Sequence, residues 1–236
     1  MILVTNLQKS FGSRAVLTGL DLEVRPGALT LLVGANGAGK TTALRLLAGL
    51  SNPDAGVIAI AGHDLAAQRQ AALARISFLP QAPRFHPRLT AGQTAEFYAR
   101  LRGRPAAAAA LALEAWGLRD FAGVPTGRLS GGLRQRLALA IFALADAPVL
   151  LLDEPGLSLD PLWRERLQQF LRGETDRGRT VLAATHLLGE WEGRADRCLL
   201  VAEGRAAGEL PPHRLRDHFP FPGNGASHAG REQSCA

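Results

Sequence analysis

Nine residues near the start of the chain, GANGAGKTT at 34–42, have the types and spacing of a loop that binds phosphate. Gly34, Gly39, Lys40 and Thr41 occupy the fixed positions of the pattern G-x-x-x-x-G-K-[ST]. Glycines let successive backbone N–H groups turn toward one anion. Lys40 would add a full charge at the β- and γ-phosphates, and the Thr41 hydroxyl would be a ligand for Mg²⁺. The pattern predicts a site for a nucleoside triphosphate.

The segments on either side of this loop support the prediction. A short apolar run at 28–33 precedes it, and an apolar-periodic stretch at 43–50 follows it. This strand–loop–helix order separates a phosphate loop from the alternative, a glycine-rich turn with a surface lysine. Lys40 is also one of only two lysines in a chain that otherwise uses arginine. That choice indicates that a point charge is needed here, since the guanidinium of arginine is a planar fork.

A second helix start has the composition of an anion-binding site. Ser130, Gly131 and Gly132 precede the helical pattern at 133–145. Serine is a preferred helix cap, and the two glycines allow another backbone or a ligand to approach the positive end of the helix. Taken alone, a Ser-Gly-Gly cap is more commonly only the end of a loop, and this alternative stays open on the residues themselves.

Polar side chains follow two apolar runs that have the pattern of buried strands. The run at 149–152 ends in Asp153 and Glu154, and the run at 181–185 ends before His186. Continuous apolar runs are typical of parallel strands, and ligands bind at the carboxyl ends of such strands. An aspartate there can hold Mg²⁺, and an adjacent glutamate can orient or deprotonate a water molecule. A lone histidine at this place is more commonly structural.

Two pairs of short runs predict antiparallel pairing. The runs at 2–7 and 16–24 alternate apolar and polar residues and are separated by turn residues. The runs at 198–201 and 206–210 are joined by a short polar turn and predict a closing hairpin. Together with the buried runs, they predict an α/β fold: a P-loop NTPase core with a mainly parallel sheet and an N-terminal antiparallel β subdomain.

The middle of the sequence predicts a helical insert in this core. Residues from about 82 to 147 include helical periodicity at 90–101 and 106–116. Beyond the closing hairpin the periodicity stops, and Pro, Gly, His and Arg dominate. We therefore predict one nucleotide-binding domain over 1–215 and a disordered tail over 216–236.

Composition narrows the functional class. The chain has 236 residues, 47% of them hydrophobic, and a net charge of +6 from scattered arginines, so we expect no nucleic-acid partner. Cys198 and Cys235 lack metal-ligand spacing, which favours a reduced cytoplasmic setting. The chain does not open with a secretory signal. Its longest apolar stretch, 137–152, is interrupted by Asp146 and Pro148 and is shorter than the roughly 18 residues of a spanning helix. We expect no membrane crossing by this chain.

These motifs, in this order, resemble those of the ATPase subunit of ATP-binding cassette (ABC) transporters, over about residues 1–210. GANGAGKTT is similar to the Walker A motif, LLLDEP at 150–155 to Walker B, LSGGLRQR at 129–136 to the family signature and LSLD at 157–160 to the D-loop. Gln81 in FLPQ resembles the glutamine of the Q-loop, and Thr185-His186 the switch histidine. Phe11 falls where the family stacks an aromatic ring on adenine; without the resemblance, it would be interpreted as a staple over the hairpin.

The resemblance implies a role for each of these residues. Glu154 would be the general base, His186 would contact the γ-phosphate and hold the attacking water, and Gln81 would link the nucleotide site to the transport subunit. The residues expected to bind ATP are Phe11, Gly34, Asn36, Gly37, Gly39, Lys40, Thr41, Thr42, Ser130, Gly131 and Gly132. Those expected at Mg²⁺ are Thr41, Gln81 and Asp153.

The resemblance also implies an assembly. Two copies would form a head-to-tail dimer around two ATP molecules, with Ser130 and Gly132 of one copy reaching the γ-phosphate held by Lys40 of the other. Integral membrane transport subunits would be the partners, at the cytoplasmic face of the membrane. Leu133 replaces the commoner glutamine of the signature, and Gly156 replaces a threonine after Walker B. Neither change removes a catalytic group, so we expect an active ATPase.

The direction of transport is indicated by one stretch. Leu89–Gly103 resembles the corresponding part of exporter-type cassettes, and no regulatory domain follows the closing hairpin, so export is favoured over import. The transported substrate is not encoded in such a subunit. The alternative is a non-transport cassette acting on ribosomes or nucleic acid; a single cassette without a basic arm disfavours it. A P-loop kinase or GTPase would lack the LSGG element.

Overall fold

The computed structural model describes residues 1–186, 188–213 and 215. The strands are β1 (Ile2–Phe11), β2 (Arg14–Val24), β3 (Leu29–Val33), β4 (Ala55–Ile60), β5 (His63–Asp64), β6 (Ile76–Leu79), β7 (Val149–Asp153), β8 (Thr180–Ala184), β9 (Arg197–Ala202) and β10 (Arg205–Leu210). The α-helices are α1 (Lys40–Leu47), α2 (Arg69–Leu73), α3 (Ala91–Leu101), α4 (Ala106–Ala115), α5 (Gly131–Ala143) and α6 (Pro161–Asp176). Short 3₁₀ helices occupy Arg119–Phe121, Thr126–Arg128 and Leu188–Glu190.

The central sheet has six strands in the order β10-β9-β3-β8-β7-β6. Its pairs are parallel from β9 to β6, and β10 pairs antiparallel with β9 at one edge. Every residue of β3, β7 and β8 is buried, which explains why these strands are continuous apolar runs in the sequence. Parallel pairing brings the carboxyl ends of the three strands to one edge, where Asp153 ends β7 and the phosphate loop, Glu154 and His186 follow the strands.

A second sheet, in the order β2-β1-β4-β5, is antiparallel throughout. Its first hairpin turns at 12–13, so that Phe11 pairs with Arg14 across the turn. Alternate residues of β1, such as Ile2 and Val4, are buried in the same hydrophobic core as the apolar residues of α1. The predicted fold class, with a mainly parallel core and an N-terminal antiparallel β subdomain, is confirmed.

Helices α3, α4 and α5 occupy the segment predicted as a helical insert. Helix α3 begins in a capping box, where Thr90 Oγ1 accepts from the Gln93 N–H at 3.1 Å and Gln93 Oε1 accepts from the Thr90 N–H at 3.0 Å. The domain limits at 1–215 stay a prediction. The tail predicted over 216–236 lies outside the described residues. Within the described residues, no helix is both long and apolar enough to span a membrane.

Two helix boundaries differ from the sequence prediction for local reasons. The apolar periodicity predicts α1 at 43–50, but the helix begins at Lys40, because the chain leaves the left-handed conformation at Gly39 (φ +104°) and turns helical at once. The apolar periodicity of the sequence locates only the buried apolar part of α1. The residues at 66–74 have a helical pattern in the sequence, whereas α2 covers only Arg69–Leu73. The N–H groups of Ala66 and Ala67 instead donate to Asp64 Oδ1, each at 2.8 Å, and form a turn before the helix.

Candidate functional site

A pocket of about 520 Å³ lies over the phosphate loop at the carboxyl edge of the central sheet. Its lining residues are Phe11, Arg14, Val16, Asn36, Gly37, Gly39, Lys40, Thr41, Thr42, Gln81, Glu154 and His186. The fold thus gathers residues from the antiparallel sheet, from α1, from the phosphate loop and from the loops after β6, β7 and β8 into one concavity. Arg14 and Val16 are the lining residues that the sequence did not single out. The available signal was indirect: a hairpin that places Phe11 at its turn also places the residues just beyond the turn nearby.

The phosphate loop is held against the first hairpin by a close approach. A Cβ at Gly39 would lie 2.6 Å from Leu17 Cδ2 and 3.1 Å from the Val16 carbonyl oxygen. Only glycine fits there, and its positive φ is also one that glycine adopts without strain. The spacing of the motif therefore serves packing as well as phosphate recognition.

Lys40 is buried at the base of the loop, with its charge directed at loop carbonyls. Its Nζ donates to the carbonyl oxygens of Gly34 at 2.7 Å and Ala35 at 2.9 Å. Burial lowers the pKa of Lys40, and the nearby carboxylates of Glu154 and Asp153 act in the opposite direction. The ammonium group is thus desolvated and held in place, a state in which its interaction with an added anion is strong.

Thr41 and Asp153 join the phosphate loop to the end of β7. The Thr41 hydroxyl donates to Asp153 Oδ1 at 3.0 Å. Burial raises the pKa of Asp153, whereas the hydrogen bond from Thr41 works to lower it. Two hard oxygen donors therefore lie side by side next to Lys40. The described residues contain no cluster of three or more His, Cys, Asp or Glu side chains that could hold a metal without other ligands.

Glu154 and His186 form the other polar pair of the pocket. Glu154 Oε1 lies 2.8 Å from His186 Nδ1, and its Oε2 accepts from the His186 backbone N–H at 3.3 Å. The Glu154 N–H donates to the Ala184 carbonyl at 2.8 Å, and Glu154 has a positive φ of +49°. The Glu154 side chain is 9% exposed and that of His186 is 45% exposed. The carboxylate is thus at the floor of the pocket and the imidazole at its rim.

Phe11 lies at the mouth of the pocket, with 55% of the residue exposed. Lys9 Nζ is 5.6 Å from the centre of its ring and donates to Asp54 Oδ1 at 2.7 Å. Asp54 Oδ2 also accepts from the Ser10 N–H at 2.6 Å. These hydrogen bonds from Lys9 and Ser10 lower the pKa of Asp54. Asp54 therefore fixes the end of β1 and with it the position of the aromatic ring.

Ser130, Gly131 and Gly132 are predicted site residues that lie outside this pocket. Among the described residues, none of these three lines it. Gly34 and Asp153 do not line it either, but they bond to its residues Lys40 and Thr41. Ser130 Oγ accepts from the Leu133 N–H at 3.2 Å and so caps α5. A Cβ at Gly132 would lie 3.0 Å from the Ser158 carbonyl oxygen, so the start of α5 packs closely on the loop after β7. The exposed Ser130 and Gly131 form the outer surface of this helix start.

Helix α6 connects the loops that follow β7 and β8. Arg164 Nε donates to the Gly156 carbonyl at 3.3 Å, and its guanidinium forms an ion pair with Glu190. Gln168 Nε2 donates to the Glu190 carbonyl at 2.7 Å. The loop after Glu154 and the turn after His186 are therefore held by the same face of α6. On the same helix, Trp163 lies under the guanidinium of Arg136 from α5, 3.8 Å from its ring centre.

The two-sheet architecture with its phosphate loop and strand-end carboxylates is that of an ATP-binding cassette. The sequence profile for ABC transporters matches residues 17–156. Nod factor export ATP-binding protein I from Burkholderia orbicola (strain AU 1054) is 38% identical over 214 residues, which cover 89% of this chain and 70% of that protein. The chain belongs to the ABC transporter family, and it is an ATP-binding ATPase subunit of that family.

Solved structures agree with this assignment. An ATP-binding subunit of an ABC transporter superposes with a TM-score of 0.83 at 25% identity, covering 95% of each chain. An ATP-binding cassette solved as a dimer in a post-hydrolysis state, bound to ADP and Pi, superposes with a TM-score of 0.81 at 25% identity, covering 90% of this chain and 99% of that one.

Proposed function

We propose that two copies of this chain close head to tail around two ATP molecules and drive export through separate membrane subunits. The observation that carries the proposal is the separation of two anion-binding elements. The phosphate loop lies in the pocket, whereas the capped start of α5 presents Ser130 outside it. The likeness to Nod factor export proteins and to a cassette solved as a dimer supports the direction of transport and the assembly.

In this proposal the pocket orders one ATP molecule along its length. Phe11 stacks on the adenine at the mouth, where its ring is exposed and backed by Lys9. The loop from Gly34 to Thr42, including Asn36 and Gly37, surrounds the phosphates with backbone N–H groups. Lys40 exchanges its bonds to loop carbonyls for the β- and γ-phosphates, and so meets the anion without first losing bulk water.

The donors beside Lys40 fit Mg²⁺. Thr41 and Asp153 supply a hydroxyl and a carboxylate, hard oxygen ligands of the kind that Mg²⁺ takes together with phosphate oxygens and water. We assign Thr41, Asp153 and Gln81 as the residues that hold it. When bound, Mg²⁺ neutralises charge on the phosphates. The buried carboxylate of Asp153, whose pKa is raised by burial, gains a compensating positive charge in that state.

Glu154 and His186 act on the attacking water. Glu154 lies at the pocket floor with its carboxylate already oriented by two contacts to His186, so it is placed to take a proton. His186 at the rim contacts the γ-phosphate and holds the water. Ser130, Gly131 and Gly132 of a second copy then bring a helix N-terminus to the same phosphate. Hydrolysis separates the γ-phosphate from ADP, and its release then removes the charge that holds the two copies together.

Membership of the ABC transporter family supports separate membrane subunits as the partners and the membrane surface as the place of action. We assign Gln81, at the edge of the pocket after β6, as the residue through which the nucleotide site and a transport subunit affect each other. The complex lies at the cytoplasmic face of the membrane, and nucleic acid is not a partner. The transported compound is determined by the membrane subunits.

The substitution Glu154→Gln tests the proposal. We expect turnover of ATP to fall by about 10²- to 10⁴-fold, because the amide cannot accept the proton. ATP should still bind, and light scattering should detect a dimer that requires ATP and persists. In the wild-type protein, turnover per chain should rise with protein concentration. Unchanged hydrolysis in the variant, or turnover independent of concentration with no dimer, would contradict the proposal.

A further inference from the structure

Arg14 lines the pocket but takes no part in the proposed steps of ATP binding and hydrolysis. Its side chain is exposed at the end of the first hairpin and lines the pocket beside Phe11, its partner across the turn. Its guanidinium forms no ion pair or hydrogen bond with any residue that the structure describes, whereas Lys9 in the same hairpin is neutralised by Asp54. A cation thus lines the pocket without an ion-pair partner among the described residues.

The position of Arg14 indicates which part of a bound nucleotide its guanidinium would contact. The Arg14 guanidinium nitrogen Nη2 lies 3.6 Å from the point where a Cβ at Gly37 would be, in the middle of the phosphate loop. Phe11, across the hairpin, presents its ring to the mouth of the pocket. One hairpin pair therefore offers an apolar face and a planar cation to different parts of the same ligand.

The balance of charge in the pocket favours a further cation beside the phosphates. Asp153 and Glu154 lie at the inner end of the pocket, and their negative charges already interact with the ammonium group of Lys40. The polyphosphate and these two carboxylates together carry more negative charge than Mg²⁺ and Lys40 offset. Arginine matches phosphate oxygens with two parallel N–H donors, a geometry that a lysine at this place would not reproduce.

We propose that Arg14 binds the polyphosphate of the nucleotide from the hairpin side, opposite the backbone of the phosphate loop. Arg14 is a binding residue and takes no part in proton transfer. This inference rests on the proposed function of the pocket and adds a specificity to it: the hairpin distinguishes nucleotides by their phosphates as well as by their base.

Titration calorimetry of the full chain with Mg²⁺ and ADP, and with Mg²⁺ and inorganic pyrophosphate, tests the inference. For Arg14→Gln we expect the affinity for both to fall by about three- to tenfold, as for loss of one partly exposed charge-assisted contact. The loss should shrink between about 0.05 and 0.5 M NaCl, because salt screens an exposed charge. Arg14→Lys should be intermediate. The matched control is Arg75→Gln. Arg75 is exposed and lies at the amino end of β6, whereas the pocket lies at the carboxyl ends of the strands, so this variant should leave both affinities unchanged.

Lys40→Ala in the same series separates the two proposals. If Lys40→Ala abolishes ADP binding while Arg14→Gln binds ADP and pyrophosphate as the wild type does, the role of Arg14 is wrong and the pocket stands. If Arg14→Gln weakens ADP but not pyrophosphate, Arg14 contacts the nucleoside and the inference is again wrong. If Lys40→Ala binds ADP unchanged, the pocket itself is misassigned and the role of Arg14 falls with it.

Discussion

The two anion-binding elements of this chain are built in opposite ways. In the pocket, the polar groups are already paired: Lys40 with loop carbonyls, Thr41 with Asp153, and Glu154 with His186. At the start of α5, Ser130 bonds its own helix and turns an exposed surface outward. In the proposed function, one copy of the fold orders the groups of its own pocket, whereas the start of α5 contacts a phosphate held by the second copy. Substitutions in the two regions should therefore fail in different ways.

The largest effect should come from the pocket. Lys40→Ala should lower ATP turnover by at least about 100-fold, the usual cost of removing a group that stabilises a developing charge. Binding of ADP by the single chain should be lost as well, since the same ammonium holds the phosphates. Lys9→Ala is the control, because it removes the only other lysine and breaks an ion pair with Asp54.

The Lys9→Ala variant should lose less than about fivefold in ADP affinity, as for a surface ion pair. Calorimetry with ADP and a steady-state ATPase assay provide both measurements. Equal losses in the two lysine variants would contradict the special position of Lys40.

A smaller effect, of a different kind, is expected at the helix start. Aspartate and asparagine both cap helices as well as serine does, so Ser130→Asp and Ser130→Asn should fold alike and differ only in charge. We expect Ser130→Asp to turn over ATP at least about tenfold more slowly than Ser130→Asn, because its charge repels the phosphate held by the second copy. ADP binding by the single chain should be equal in the two variants.

The comparison of the two variants has a clear negative result. If Ser130→Asp loses ADP affinity in the single chain, the start of α5 belongs to the pocket of its own chain, and the contrast between the two regions disappears. Equal turnover by the two variants would show that no phosphate reaches Ser130 at all.

The smallest effect concerns stability. Burial raises the pKa of Asp153 in the folded state, so the folded protein favours the protonated carboxyl. This contribution to the free energy of unfolding is fully present below the pKa of the unfolded chain, and it is lost as the pH rises through the pKa of the folded protein. Asp153→Asn removes this loss and can keep the bond from Thr41. We expect the nucleotide-free variant to melt about 2–4 °C above the wild type near pH 7, the shift that about 1 kcal/mol produces at this size. Turnover should still be lost.

Calorimetric melting curves measured between about pH 5 and about pH 7 check the sign of the difference in Tm between the variant and the wild type. The difference in Tm should shrink as the pH falls toward 3.8, the ordinary value for an aspartate. A variant that melts below the wild type at neutral pH would indicate that Asp153 stabilises the empty pocket.

The sequence predicts those parts of the site that rest on local pattern. Buried parallel strands give continuous apolar runs, so the ends of β3, β7 and β8, and with them Lys40, Glu154 and His186, follow from the amino-acid pattern. Arg14 gives no such signal, since one arginine after a turn has no spacing to mark it. The ion pair of Arg164 with Glu190 joins residues whose proximity depends on how α6 packs, which periodicity does not determine.

Helix α6 contacts both the loops that carry Glu154 and His186 and the helix α5 that begins at the Ser-Gly-Gly segment. It holds the loop after Glu154 and the turn after His186 through Arg164, and it carries Trp163 beneath Arg136 of the signature helix. A shift of α5 on meeting a phosphate would therefore reach the base and the histidine of the same chain through one rigid helix. By reciprocity, nucleotide bound in one pocket would adjust the helix start offered to the other. Each copy would then sense both ATP molecules, and the two sites would hydrolyse them in concert.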